Sequence, residues 1–250
     1  MKIDTVILSS NDNPNYIQFW PIVSEAWSLM GVEPILIYTG EEKLKLKGNV
    51  INYSIKNINS SFVAQNIRIL YPSLLSDRTC LVSDMDILPL SRNYFVESVL
   101  NFNENSFIIY RPDAGLPSNM ISLCWIAAAS KTWYELFKVD SEKKIEKYLK
   151  KWYTKNYSVQ GTAWYTDQIT LSPCTLAQHC TSPNRFEWMV GGITVCTERT
   201  EIVPFIQSEN CVCLCVGYNR FCGGSDFACF LRDCCGVLCV CVGLIILHIP

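Results

Sequence analysis

Two aspartates separated by one residue, Asp84 and Asp86, stand where a short apolar run, Cys80-Leu81-Val82, comes to an end. The run reads as a buried strand, and Pro89 stops the segment from continuing as a regular central strand. On an extended backbone, residues i and i+2 point to one face, so the two carboxylates are expected side by side. Such charges repel unless a cation lies between or beside them, and oxygen donors of this kind suit Mg²⁺ or Mn²⁺ shared with phosphate. The pair is the candidate metal–phosphate centre, at the carboxyl end of a strand, where α/β sheets hold their ligands. A second chemical stretch is Gly161-Thr162-Ala163-Trp164-Tyr165-Thr166-Asp167-Gln168. It offers two aromatics suited to stacking on a sugar face, and a carboxylate able to orient an acceptor hydroxyl or take its proton. Gln168 adds an amide that bonds at both ends. The alternative is that Asp167 caps a helix with Trp164 packed beneath it, and the stretch alone leaves both open.

The elements that must position these residues follow from apolar spacing. Thr5 to Leu8 forms a first core strand that feeds the polar loop Ser9 to Asn13. Tyr16, Phe19, Trp20, Val23, Trp27 and Met30 recur at helical spacing, with Gly31 as a natural C′ residue. Pro21 implies a kink there, or a helix that begins near it. Pro34 to Tyr38 and Val50 to Tyr53 read as further strands. A helix carrying Phe62, Val63, Ile67 and Leu70 is expected to be capped by Ser60 or Ser61 and stopped by Tyr71-Pro72. Gln65 and Arg68 share one edge of it, where Arg68 meets either a phosphate or a surface carboxylate. This order favours a mostly parallel sheet covered by helices. No Gly-rich phosphate loop follows the first strand, which excludes a P-loop and a dinucleotide fingerprint.

Further along, Tyr94 to Leu100 suggests a short helix, and Phe107 to Tyr110 another strand. Arg111 to Asn119 has the composition of a substrate-side loop, and Ile121 to Ala129 reads as strand passing into helix. Ser141 to Tyr153 is amphipathic, with Ile145, Tyr148, Leu149 and Trp152 inward and a solvated face of lysines.

Composition divides the chain. With a net charge of -2 and 18% charged residues, no basic field points to nucleic acid. All 13 lysines lie at or before Lys155, whereas 12 of the 14 cysteines lie at or after Cys174. Residues 1–171 therefore read as one organised domain and 172–250 as a cysteine-rich tail of uncertain structure. The preferred explanation is a change of reading frame around residues 169–175 that replaced the native end. Cys211, Cys213 and Cys215 meet zinc-site spacing only in part. Residues 234–249 are apolar but short of a comfortable bilayer span, and Arg232 and Asp233 precede them, so a membrane-associated tail is the lesser alternative. The first apolar stretch is too short for a secretory signal, and the front of the chain is sparing in cysteine, so a cytoplasmic protein is expected.

The opening strand, the strand ending in Ser83-Asp84-Met85-Asp86 and the later Trp164-Tyr165-Thr166-Asp167-Gln168 together resemble the nucleotide-sugar-dependent glycosyltransferases of GT-A type, over about residues 3–171. The resemblance implies a GT-A-like, Rossmann-like α/β sheet and transfer of a sugar from a nucleoside-diphosphate sugar to an acceptor it does not identify. In that picture Asp86 chiefly ligates Mn²⁺ or Mg²⁺, while Asp84 holds the ribose or shares the metal. Ser9, Asn11 and Arg68 lie near the nucleotide, and Asp167 with Gln168 serves the sugar and acceptor end. The family's third metal ligand is commonly a histidine, and only His179 and His248 are available, neither in a ligand motif. With its native end replaced, such an enzyme would be impaired. The other readings are a non-catalytic nucleotide-sugar-binding protein and a metal-dependent phosphoryl hydrolase, the latter short of acidic and histidine ligands.

Overall fold

The computed structural model describes residues 1–42, 44–111 and 120–172, and beyond them the backbone of three strands. The sheet begins with β1 (Thr5–Ser10), followed by α1 (Pro14–Ile17), α2 (Trp20–Leu29), β2 (Glu33–Tyr38) and β3 (Asn49–Asn52). The chain then forms α3 (Ser60–Leu70), a tight turn of 3₁₀ helix (Tyr71–Leu74), β4 (Thr79–Ser83) and the short β5 (Ile87–Pro89). After a π-helical turn (Asn93–Glu97) come β6 (Phe107–Ile109), β7 (Trp125–Ala129), α4 (Ser130–Phe137) and α5 (Glu142–Trp152). Residues 166–172 are helical. The later strands are β8 (Phe186–Val190), β9 (Ile193–Val195) and β10 (Cys213–Cys215).

Local chemistry explains most of these boundaries. Pro21 sits in the first turn of α2, where its missing N–H costs nothing, so the aromatic stripe is split between α1 and α2. Gly31 follows the end of α2 at φ 75°, a conformation only glycine adopts freely. The cap of α3 is Asn59 rather than Ser60 or Ser61: the Asn59 side chain accepts the Ser61 N–H at 2.9 Å. The two serine hydroxyls are engaged from another direction, by Asn11.

Eight strands form one sheet in the order β3-β2-β1-β4-β7-β6-β8-β9. From β3 to β4 the pairing is parallel, as expected, but β7 runs antiparallel to both β4 and β6. The sheet is therefore mixed rather than mostly parallel. β8 adds a parallel partner to β6, β9 turns back against β8, and β10 pairs antiparallel with β5 in a separate ribbon.

Alternation along the strands feeds two cores. Val6 and Leu8 of β1, Leu36 of β2 and Leu81 of β4 face Trp20, Val23, Trp27 and Phe95 on one side. Ile7, Ile35, Ile37, Cys80 and Val82 face Phe62, Ile67, Trp133, Ile145 and Leu149 on the other. Because both faces are covered, these strands read as continuous apolar runs. β1 lies between β2 and β4, so the connection through α3 carries the chain from one side of β1 to the other. Such a reversal opens a crevice at the carboxyl ends of the flanking strands. The β1–β4 ladder ends at Ile7–Val82, two residues before Ser9 and Asp84.

Substrate-side loop residues 112–119, His179, His248, Cys211, the side chains of Cys213 and Cys215, and the apolar residues 234–249 lie outside the described residues. Among the described residues no helix is long and apolar enough to cross a membrane.

Candidate active site

Strand β4 delivers Asp84 to the carboxyl end of the sheet, but the backbone does not stay extended beyond it. Met85 and Asp86 form a turn before β5 begins, and Met85 is packed into the core. The two carboxylates are therefore brought near by a turn and not by the alternation of a strand. Their fates differ. Asp84 forms an ion pair through Oδ1 with Nη1 of Arg68. Asp86 is half-buried and carries no ion pair among the described residues. Burial first, and then the charge of Asp84, push its carboxyl up to about 6, while a hydrogen bond from its own backbone N–H and then the charge of Arg68 act the other way.

Arg68 is the residue that joins the two chemical stretches. It does not lie on an exposed helix edge; it is 9% exposed and turned into the protein. Its Nη2 donates to Oδ2 of Asp167 at 3.0 Å, and its Nε donates to the Gln65 carbonyl at 3.2 Å. One guanidinium thus bridges carboxylates 16 residues ahead of it and 99 residues ahead of it. Burial opposes its charge, but the two aspartates more than offset that and hold it firmly protonated.

Asp167 lies within the helical segment 166–172 and does not cap it. It is buried, with Oδ1 accepting the Gln168 N–H at 2.9 Å and Oδ2 on Arg68. Burial raises its carboxyl above the ordinary range, and Arg68 restrains the rise. Gln168 Oε1 is buried and has no hydrogen-bond partner among the described residues, an acceptor that a ligand hydroxyl would satisfy. Trp164 stacks on Tyr157, with ring centroids 6.3 Å apart and planes at 23°. Tyr157 in turn donates to Gln65 Oε1 at 2.9 Å, tying this segment to α3. Nothing in the residues around Tyr157 signals that role; only the return of the chain onto α3 creates it.

Ser9 and Asn11 sit at the end of β1 as expected, but their side chains are occupied. Ser9 Oγ donates to the Ala64 carbonyl. Asn11 Nδ2 donates to the Ser60 and Ser61 hydroxyls, both at 3.0 Å, while its Oδ1 accepts the Asn13 N–H. Both hold α3 against the sheet and thereby fix where Arg68 emerges. Cys124, half-buried near the acids, has its thiol pushed up to about 12 by burial and by Asp84, so it is a neutral neighbour.

Asp84 retains one oxygen free of Arg68, and Asp86 retains both. That donor set fits a hard divalent ion that completes its shell with ligand phosphates and water, and does not fit an all-protein cage. Among the described residues no group of three His, Cys, Asp or Glu gathers as a ready metal site. A shallow depression of about 510 Å³, lined by Ser54, Lys56, Asn57, Glu146, Lys150 and their neighbours, includes none of the acid cluster and is not the place for this chemistry.

No family model matches the chain, and no curated protein matches it. Among solved structures, the glycosyltransferase GlyE of Streptococcus pneumoniae TIGR4 superposes with a TM-score of 0.40 at 13% identity, covering 76% of this chain and 45% of that one. The galactosyltransferase LgtC, solved with donor and acceptor sugar analogues, gives 0.38 at 15% identity, covering 67% and 69%. A mutant Drosophila β-1,4-galactosyltransferase 7, solved with manganese, UDP-Gal and xylobiose, gives 0.33 at 12% identity, covering 54% and 52%. The chain spans less than half the length of GlyE. Likeness at this level decides nothing about chemistry, which the side chains above must carry.

Proposed function

We propose that the chain binds a nucleoside-diphosphate sugar together with Mn²⁺ or Mg²⁺ at the carboxyl ends of β1 and β4, and transfers the sugar to a hydroxyl acceptor. The observation that carries this reading is Asp86. A half-buried carboxylate with no ion pair among the described residues, beside a second acid at the switch point of the sheet, is a site that gains from a divalent cation. Asp86 and the free oxygen of Asp84 would hold the ion. When bound, the ion would offset charge gathering on the departing diphosphate, typically worth several kcal/mol.

The chain's own residues supply position. Asp167, with one oxygen on Arg68 and the other on a backbone N–H, acts as an anchor for the guanidinium and not as a free base. Gln168 offers its unpartnered Oε1 to a sugar hydroxyl. Ser9 and Asn11 hold α3, and through it Arg68, in register with the crevice.

A second reading, binding of the nucleotide sugar without turnover, is favoured by one feature: Asp84 and Asp167 are both tied to Arg68. Calorimetry of UDP- and GDP-sugars with and without Mn²⁺ tests the shared part. Binding is expected to need the metal and to weaken markedly in Asp84→Asn and Asp86→Asn. Equal affinity without metal, or indifference to both substitutions, rejects the site. Release of free sugar or a glycosylated acceptor on prolonged incubation, lost in Asp86→Asn, then separates a transferase from a binding protein.

A further inference from the structure

We propose that Arg68 is a resident cation that takes the place of metal at Asp84 and makes divalent-ion binding conditional on an incoming diphosphate. The inference rests on the nucleotide-sugar reading and concerns how its two ligands are coupled.

Each guanidinium nitrogen of Arg68 has an acceptor. Nη1 is on Asp84, Nη2 is on Asp167 at 3.0 Å, and Nε is on the Gln65 carbonyl at 3.2 Å. An arginine does not lose its proton inside a protein, so this charge cannot be neutralised to make room. A divalent ion that takes Asp84 therefore meets a fixed positive charge on the same carboxylate, in surroundings that screen it weakly. While Arg68 holds Oδ1 of Asp84, its charge weakens the remaining oxygen as a ligand for the ion. Drawn off Asp84 with no new acceptor, Nη1 would become a buried donor without a partner, so the arginine stays in place and opposes metal binding.

A diphosphate removes that obstacle. The planar guanidinium fork matches phosphate oxygens, and Nη2 stays fastened to Asp167, so the group pivots about one retained contact. Asp86 is open to an ion from the start, whereas Asp84 is freed of the opposing charge only when Arg68 has a phosphate to hold. Metal alone is thus expected to bind weakly, and metal with diphosphate tightly. Reciprocity demands the same factor for the diphosphate when metal is added.

Free Mn²⁺, read by electron paramagnetic resonance with and without UDP, tests this in the full chain. The comparison uses the wild type, Arg68→Met, and the double variant Arg68→Met/Asp167→Asn, which removes the buried acid that the single change leaves uncompensated. In the wild type, UDP is expected to tighten Mn²⁺ binding by about ten- to a hundredfold, within the ordinary range of such couplings. In either variant, Mn²⁺ alone is expected to bind about tenfold tighter than in the wild type, with the coupling to UDP reduced by about tenfold from the wild-type value. An arginine that only supports the fold predicts the reverse, weaker Mn²⁺ binding with coupling intact, and that result overturns the proposal.

If the wild type binds Mn²⁺ equally with and without UDP, this proposal fails while the nucleotide-sugar reading survives. If it binds neither ligand in any combination, both fail. A second measurement needs no destabilising variant. The Arg68 Nε–H resonance, assigned by its loss in Arg68→Lys, is expected to move with Mg²⁺ and UDP together and to stay in place with Mg²⁺ alone. Movement with Mg²⁺ alone overturns the coupling.

Discussion

Replacing Asp86 by asparagine sets what the site needs against what the fold prefers. Burial and then the charge of Asp84 raise the Asp86 carboxyl from 3.8 to about 6. A carboxyl whose folded pKa lies above its unfolded value takes up protons on folding. Below pH 3.8 it is neutral in both states and costs the fold nothing; the penalty grows as pH rises and is complete above about 6. At 1.36 kcal/mol per pH unit, that interval corresponds to a penalty of about 3 kcal/mol, which solvent around the half-buried group reduces to roughly 1–2 kcal/mol. Asp86→Asn removes the ionisation and keeps the shape. Urea unfolding at about pH 8 should show the variant more stable by that amount, and the advantage should vanish on acidification to about pH 4. The same variant should lose metal-dependent UDP-sugar binding, the trade between stability and function expected of an uncompensated site. A variant less stable than the wild type at about pH 8, or an advantage that ignores pH, refutes the view that Asp86 is held without a cation.

Arg68→Ala leaves Asp167 buried with its charge unpaired, and should cost about 3–5 kcal/mol in urea unfolding. Adding Asp167→Asn should recover a large part of that loss, and a strictly additive double variant contradicts the bridge. Asn11→Ala removes both hydrogen bonds to the start of α3 and should cost about 1–2 kcal/mol by thermal unfolding. UDP-sugar affinity in that variant should fall only through the displaced Arg68, so an effect larger than that of Arg68→Met would return Asn11 to direct nucleotide contact. Asn59→Ala removes the helix cap and should cost about 1 kcal/mol by the same measurement.

The parts legible in the residues are those whose cause is local or periodic. β1, β2 and β4 show as unbroken apolar runs because helices cover both faces of the sheet. The turn of the chain into α2 at Pro21 and its end at Gly31 follow from backbone chemistry within a few residues. The inward stripe of α5 follows from helical period, with Ile145 and Leu149 buried. An acid pair after an apolar strand was visible for the same reason.

Tertiary structure decided the rest. The direction of β7 depends on which strands it lies between, and an isolated apolar run does not encode that choice. Capping by Asn59 left the Ser60 and Ser61 hydroxyls to Asn11, a selection made between segments far apart in the chain. Above all, Arg68 had carboxylates available throughout the sequence, and only packing α3 under the crevice selected Asp84 and Asp167. Propensity acts over a few residues, whereas an ion pair forms wherever folding brings opposite charges out of water together. For that reason the sequence identified the acids, and the fold alone determined which of them is left without a cation.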